Sequence, residues 1–174
     1  MTGSVHSFDV STGVDGPGIR FVGFLSGCPL RRLYCHRPDT WNRRSGRRPA
    51  ADGRRMSVDD LVTEIRRYER FIEVAGGGVT LSGGEPLQQP ALTRDVLSRC
   101  KELGLHTALD TSGFPGDHAD NALLDLTDLV LLDIKSSDQA TYRRVTRTRG
   151  RHSHRAFRPA PRRAAPRCGS ASSS

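Results

Sequence analysis

At 174 residues the chain suits one domain with its own core, and the lack of any run approaching ~20 apolar residues excludes a helix that spans a bilayer. MTGSVHSFDV carries no basic segment followed by an apolar one, and four scattered cysteines make no disulfide framework, so a soluble, cytoplasmic protein is expected. The net charge of +8 is unevenly placed: ten arginines and no acid lie beyond Asp138, which leaves residues 1–142 at −2 and confines the basicity to the tail.

IRFVGFL (Ile19–Leu25), continuously apolar and ended by Ser26 and Gly27, predicts a buried strand. Residues 37–55, rich in arginine, glycine and proline, predict a loop. Ser57 then stands as an N-cap before Val58, Leu61, Val62, Ile65, Tyr68 and Ile72, a helical spacing with Asp59 and Asp60 in its first turn. GVTLSGGEP predicts a strand running into a glycine turn. Pro90 opens a second helix on Leu92, Val96, Leu97, Cys100 and Leu103, which stops at Gly104 and makes Cys100 a core residue. HTALDTSG predicts a third strand, residues 119–126 a short third helix, and DLVLLDIK a fourth strand buried on both faces. Four alternations of strand and helix predict an α/β fold, a parallel sheet or barrel. From about Thr146 the pattern gives way to arginine, proline, alanine and serine, a composition that predicts disorder. Its arginines suit phosphate contacts, but aromatic residues are scarce among them, which argues against a nucleic-acid partner.

In parallel α/β folds ligands bind at the carboxyl ends of the strands. The four strands deliver to that edge GCPLRRLYCH, SGGEP, Asp110 with Thr111, and Asp133 with Lys135. Cys28, Cys35 and His36 offer two sulfurs and an imidazole, soft ligands for iron–sulfur or zinc, although two cysteines in a short loop also read as an incidental pair. A zinc module would need a fourth ligand, and none follows at zinc-finger spacing. SGGEP offers unobstructed backbone N–H groups beside the Glu85 carboxylate, and also reads as plain turn chemistry. Asp133 and Lys135, two apart, share one side of a strand and read equally as a salt-bridged strand end.

Taken together, HSFDVSTGVDGPGIRFVGFLSGCPLRRLYCHRPDTW, GGGVTLSGGEP, GLHTALDTSGF and TDLVLLDIKSSD, in that order, resemble the pyruvate formate-lyase activating enzymes. These are glycyl-radical enzyme activases and oxidoreductases of the radical S-adenosylmethionine (SAM) superfamily, and the resemblance covers residues 3–145. It implies a 4Fe-4S cluster on a CxxxCxxC motif, with SAM chelating the open iron. An electron from a flavodoxin-type donor then cleaves SAM, and the 5'-deoxyadenosyl radical takes hydrogen from a backbone glycine of pyruvate formate-lyase or a related glycyl radical enzyme. By position, the resemblance makes Cys28 and Cys35 cluster ligands, lines SAM with Tyr34, Cys35 and His36, and puts Gly83, Gly84 and Glu85 at its amino group. It makes Asp133, Ile134 and Lys135 a further wall, puts Asp110 and Thr111 beside a monovalent cation, and brings DGPG (residues 15–18) near the substrate peptide. Other activases of this kind carry an inserted ferredoxin-like domain with extra cysteines; no cysteine lies between Cys35 and Cys100, which favours the pyruvate formate-lyase type.

Two departures stand out. Arg32 occupies the place of the middle cysteine, and a guanidinium cannot ligate iron, so cluster binding is expected to be weak or absent and activity impaired. The recognisable pattern also amounts to about four βα units of the family's six, a partial radical SAM barrel over residues 1–145 followed by a disordered tail over 146–174. That boundary reads as a C-terminal truncation or a shifted reading frame, and it predicts an unpaired edge on the fourth strand. The runner-up reading is a non-catalytic metal-binding or degenerate fragment.

Overall fold

The computed structural model describes residues 1–42 and 54–148; the tail beyond, and residues 43–53 of the arginine-rich loop, lie outside the described residues. Within these bounds the chain forms β1 (Thr2–Thr12), β2 (Ile19–Leu25), β3 (Arg54–Ser57), α1 (Val58–Arg66), α2 (Glu69–Val74) and β4 (Gly78–Gly83), followed by α3 (Pro90–Glu102), β5 (His106–Thr111), α4 (Asn121–Asp125), β6 (Leu129–Leu132) and α5 (Gln139–Thr146). One sheet runs β3-β1-β2-β4-β5-β6. The β2, β4, β5 and β6 strands are parallel and adjacent in chain order, the arrangement of a barrel wall rather than of a doubly wound sheet. The expected α/β class and its four βα units are thus present.

The β1 and β3 strands were not legible. β1 runs antiparallel to β2 and to β3, with its register shifting between Val5 and Ser7, and its residues are mostly polar, with only short stretches buried. β3 begins inside what the sequence predicts as loop: RRMS is four residues long, and its arginines occupy the outer edge of the sheet, where charge discourages further pairing. A third correction concerns β6. Its four residues are only half-buried, not buried on both faces, because among the described residues no strand lies beyond it. Among the described residues, then, β6 forms an edge of the sheet.

Ser57 caps α1 through a reciprocal capping box with Asp60. The apolar pattern continues in phase to Ile72, but the helix breaks at Arg67 and Tyr68. There the Tyr68 ring settles on Phe21, centroids 5.8 Å apart, and α2 resumes with Ile72 fully buried. The core lies between one face of the sheet and α1 to α3: Phe21, Leu25, Val79 and Leu81 meet Leu61, Ile65, Val96, Leu97 and Cys100. Strand alternation turns Phe24, Ser82 and Asp110 to the opposite face. No helix among the described residues is long and apolar enough to cross a membrane.

At the foot of the sheet, Asp128 accepts from Lys101 Nζ at 2.7 Å and from the Thr107 N–H and hydroxyl at 2.9 and 3.0 Å. Against the upward push of partial burial, these donors hold its carboxyl down at about 2. A depressed carboxyl stabilises the fold above its unfolded value of about 4, and that stability is lost as pH falls toward about 2. Asp128→Asn is therefore expected to cost about 1 kcal/mol at neutral pH, after allowance for solvent screening. Urea midpoints of the two proteins should converge at pH 2; a gap that persists there would remove the carboxylate from the account.

Candidate functional site

The carboxyl ends of β2, β4, β5 and β6 open on a cavity of about 520 Å³. The loop after β2 contributes Tyr34 and His36, β4 contributes Gly83, β5 contributes Asp110, and the segment after β6 contributes Asp133, Ile134 and Lys135. A narrower space of about 50 Å³ adjoins it, lined by Cys28, Arg32, Gly84, Thr111 and Asp133 among others. Four distant segments of sequence therefore meet at one edge. Asp133 and Lys135 lie just past the end of β6 rather than on a strand. They are ion-paired to each other there, and Asp133 N–H donates to Thr111 O at 3.0 Å.

Both glycines of SGGEP have backbone reasons. Gly83 holds φ +108, and a Cβ on it would sit 2.4 Å from Leu25 N; a Cβ on Gly84 would sit 2.4 Å from Gly27 O. These contacts press the β4 turn against the start of the cysteine loop, and Gly84 N–H donates to Leu25 O at 2.8 Å. Gly84→Ala is expected to force the two apart at a cost of ~1–3 kcal/mol, read as a lowered urea midpoint. An unchanged midpoint would mean that the loop yields freely.

Glu85 is 1% exposed and lines neither cavity. Its carboxylate accepts from Thr111 Oγ1 (2.7 Å), Ser112 N–H (2.9 Å), Ser112 Oγ (2.6 Å) and Leu87 N–H (3.1 Å). Burial pushes its pKa up while these donors pull it down, and burial prevails. In this arrangement Glu85 clamps the ends of β4 and β5 together from behind the cavity wall. Asp110, raised by burial, accepts from Ser82 Oγ at 2.6 Å. Burial, reinforced by the Arg32 charge, lowers the Lys135 ammonium to about 8.

The cysteine loop is held at several points. Gly27 and Cys28 N–H donate to Thr40 O (2.7 Å) and Trp41 O (3.2 Å). Arg31 and Leu33 N–H donate to Thr146 O (2.9 Å) and Val145 O (3.0 Å) at the end of α5. The Arg31 guanidinium donates to Cys28 O and Leu30 O and lies over the Trp41 ring. Beneath, fully buried Tyr142 packs against Cys28 and Leu30. Sequence reasoning missed α5, Arg31, Ser82 and Ser112. Period-2 alternation in GVTLSG does point Ser82 to the Asp110 side, and Asp138 is a legible N-cap for α5, its carboxylate accepting from Thr141 N–H.

Arg32 extends into both cavities. Its guanidinium lies 3.8 Å from Cys35 Sγ and 4.0 Å from the Asp133 carboxylate, and its Nε is buried without a hydrogen-bond partner. Cys28 is buried, and burial pushes its thiol up to about 11. Cys35 lines neither cavity. Among the described residues no three His, Cys, Asp or Glu side chains converge as a metal site, so the zinc reading of Cys28, Cys35 and His36 finds no geometry here.

A family model for the radical SAM superfamily matches residues 22–164. The pyruvate formate-lyase-activating enzyme of Clostridium pasteurianum is 45% identical over 146 residues, covering 84% of this chain and 58% of that protein. The pyruvate formate-lyase 1-activating enzyme of Escherichia coli K12 is 42% identical over 147 residues, covering 83% and 57%. The chain thus spans a little under three fifths of the length of these relatives. Among solved structures, QueE from Escherichia coli superposes with a TM-score of 0.50 at 19% identity, over 66% of this chain and 54% of that one, a likeness of fold alone.

The superfamily implies a 4Fe-4S cluster and SAM. The larger cavity falls within the ~300–1,000 Å³ usual for small-molecule sites and fits a ligand of that size. The donor set does not fit a cluster held by three thiolates: the loop offers Cys28 and Cys35, with Arg32 standing in sequence where a third thiolate would be needed and its guanidinium 3.8 Å from Cys35 Sγ. With the match extending over most of the chain and the four strand ends gathered on one cavity, the chain belongs to the radical SAM superfamily.

Proposed function

We propose that this chain carries the SAM site of a glycyl-radical enzyme activase of the pyruvate formate-lyase activating type, with the cluster half of that site disabled by Arg32. The observation that carries this reading is the convergence of Tyr34, His36, Gly83, Asp110 and Asp133 to Lys135 on one cavity from four separate strand ends. In this reading SAM lies against those side chains. Gly84 lines the narrower space beside the cavity, Cys35 stands outside both cavities, and Glu85 braces the strand ends through Thr111 and Ser112. A monovalent cation at Asp110 and Thr111 completes the assignment. Cys28 and Cys35 are the two remaining thiolate ligands of a cluster that, where intact, supplies the electron for SAM cleavage; no radical step is assigned to this chain as it stands.

The partners that go with this role are pyruvate formate-lyase or a related glycyl radical enzyme as protein substrate, and a flavodoxin-type electron donor, in the cytoplasm. Residues 1–145 form the functional unit, with 146–174 as an appended tail. The test is anaerobic reconstitution with iron and sulfide, followed by iron counting and electron paramagnetic resonance. Iron well below one cluster per chain is expected. A stoichiometric, reducible four-iron cluster would overturn the disabling role of Arg32, while failure of the chain to bind any adenosyl ligand would overturn the site itself.

A further inference from the structure

The Arg32 guanidinium is a cation that lines both cavities, with its Nε buried and unpartnered. The nearest carboxylate, Asp133 at 4.0 Å, is already claimed by Lys135, whose side chain is only 7% exposed. A third cation, Arg37, lines the larger cavity, held over the Phe24 ring at 4.1 Å. The facing acids are Asp15 and Asp110, and Asp110 is bonded to Ser82 and buried. Where the resemblance would put a thiolate, this chain presents a positive charge at the cavity wall.

Resting on the SAM-site reading above, we infer that Arg32 inverts the charge selectivity of this cavity, so that it takes an adenosyl thioether bearing a free carboxylate in preference to a sulfonium. The two ligand types share adenosine, carboxylate and ammonium groups and differ at one sulfur. In SAM that sulfur is cationic; in S-adenosylhomocysteine it is neutral. A ligand that fills the cavity lies beside Arg32 and Lys135, so the sulfonium meets like charge, while the carboxylate meets the terminal nitrogens of Arg32, whose one carboxylate neighbour, Asp133 at 4.0 Å, is ion-paired to Lys135. A unit-charge repulsion across several ångströms of protein is worth a factor of about ten or more in affinity.

Titration calorimetry on the metal-free full chain tests this with S-adenosylhomocysteine and SAM as probes. The thioether is expected to bind at least about tenfold more tightly than SAM. Arg32→Gln should shrink the ratio toward one, and Arg32→Lys, which keeps the charge, should retain it; Trp41 fluorescence checks that both variants fold. A wild-type ratio near one, or in favour of SAM, overturns the inference and leaves the site reading intact, as does a ratio unaffected by Arg32→Gln. Binding of neither probe overturns both.

Discussion

Arg32→Cys is expected to raise iron bound after anaerobic reconstitution from well under one cluster to about four atoms per chain. The substitution acts in two ways. It supplies a third thiolate at CxxxCxxC spacing in a loop whose backbone is already tied to Thr40, Trp41, Val145 and Thr146, so little of the loop must be reordered to receive metal. It also removes a guanidinium that crowds Cys35 and leaves one nitrogen buried without a partner. Arg32→Ser separates the effects, since it vacates the space without adding a ligand and should leave iron low. Iron that remains low in Arg32→Cys, in a protein whose circular dichroism is unchanged, would place the defect elsewhere in the site. Iron that rises equally in Arg32→Ser would mean that steric and charge relief, rather than the missing thiolate, controls binding.

Tyr142→Ala is expected to destabilise the chain by ~3–5 kcal/mol, the cost of deleting a large, fully buried aromatic side chain. Tyr142 fills the space between α5 and the cysteine loop, against Cys28 and Leu30, with Trp41 and Phe114 packed alongside. Its loss should loosen that loop more than the core of Leu61, Ile65 and Leu97, which forms a separate cluster. Hydrogen exchange at Arg31 and Leu33, whose N–H groups donate to α5, reports the local effect, and a urea midpoint the global one. Retention of protection at both amides would show that the backbone bonds, not the Tyr142 ring, secure the loop.

The parallel part of the fold was legible because its residues carry strong periodic signals. IRFVGFL can be read as a buried strand from any viewpoint, and Ser57 with Asp60 is a helix start that needs no tertiary context. The antiparallel additions were not. β1 is a largely polar strand whose pairing depends on the adjacent β2 hairpin, and RRMS becomes a strand only because β1 offers it an edge. The half-burial of β6 was hidden for a related reason: a run such as LVLL reports how apolar a segment is, while how far it is covered depends on its neighbours in the sheet.

For the site, the chain order of residues was enough to nominate Cys28, Gly83, Asp110 and Lys135, since strand ends in a parallel sheet share one edge whatever lies between them. It was also enough to mark Arg32 as the departure from a thiolate triad. Which nominated groups face the cavity was decided only in three dimensions. Glu85, the most conspicuous carboxylate in the motif, is used up on Thr111, Ser112 and Leu87, while Ser82, Asp15 and Arg37 line the space. Residue identity sets what a side chain can donate or accept, and those capacities are visible in the sequence. Who satisfies them is a matter of distance between segments far apart in the chain, and that is determined by the packing of the sheet.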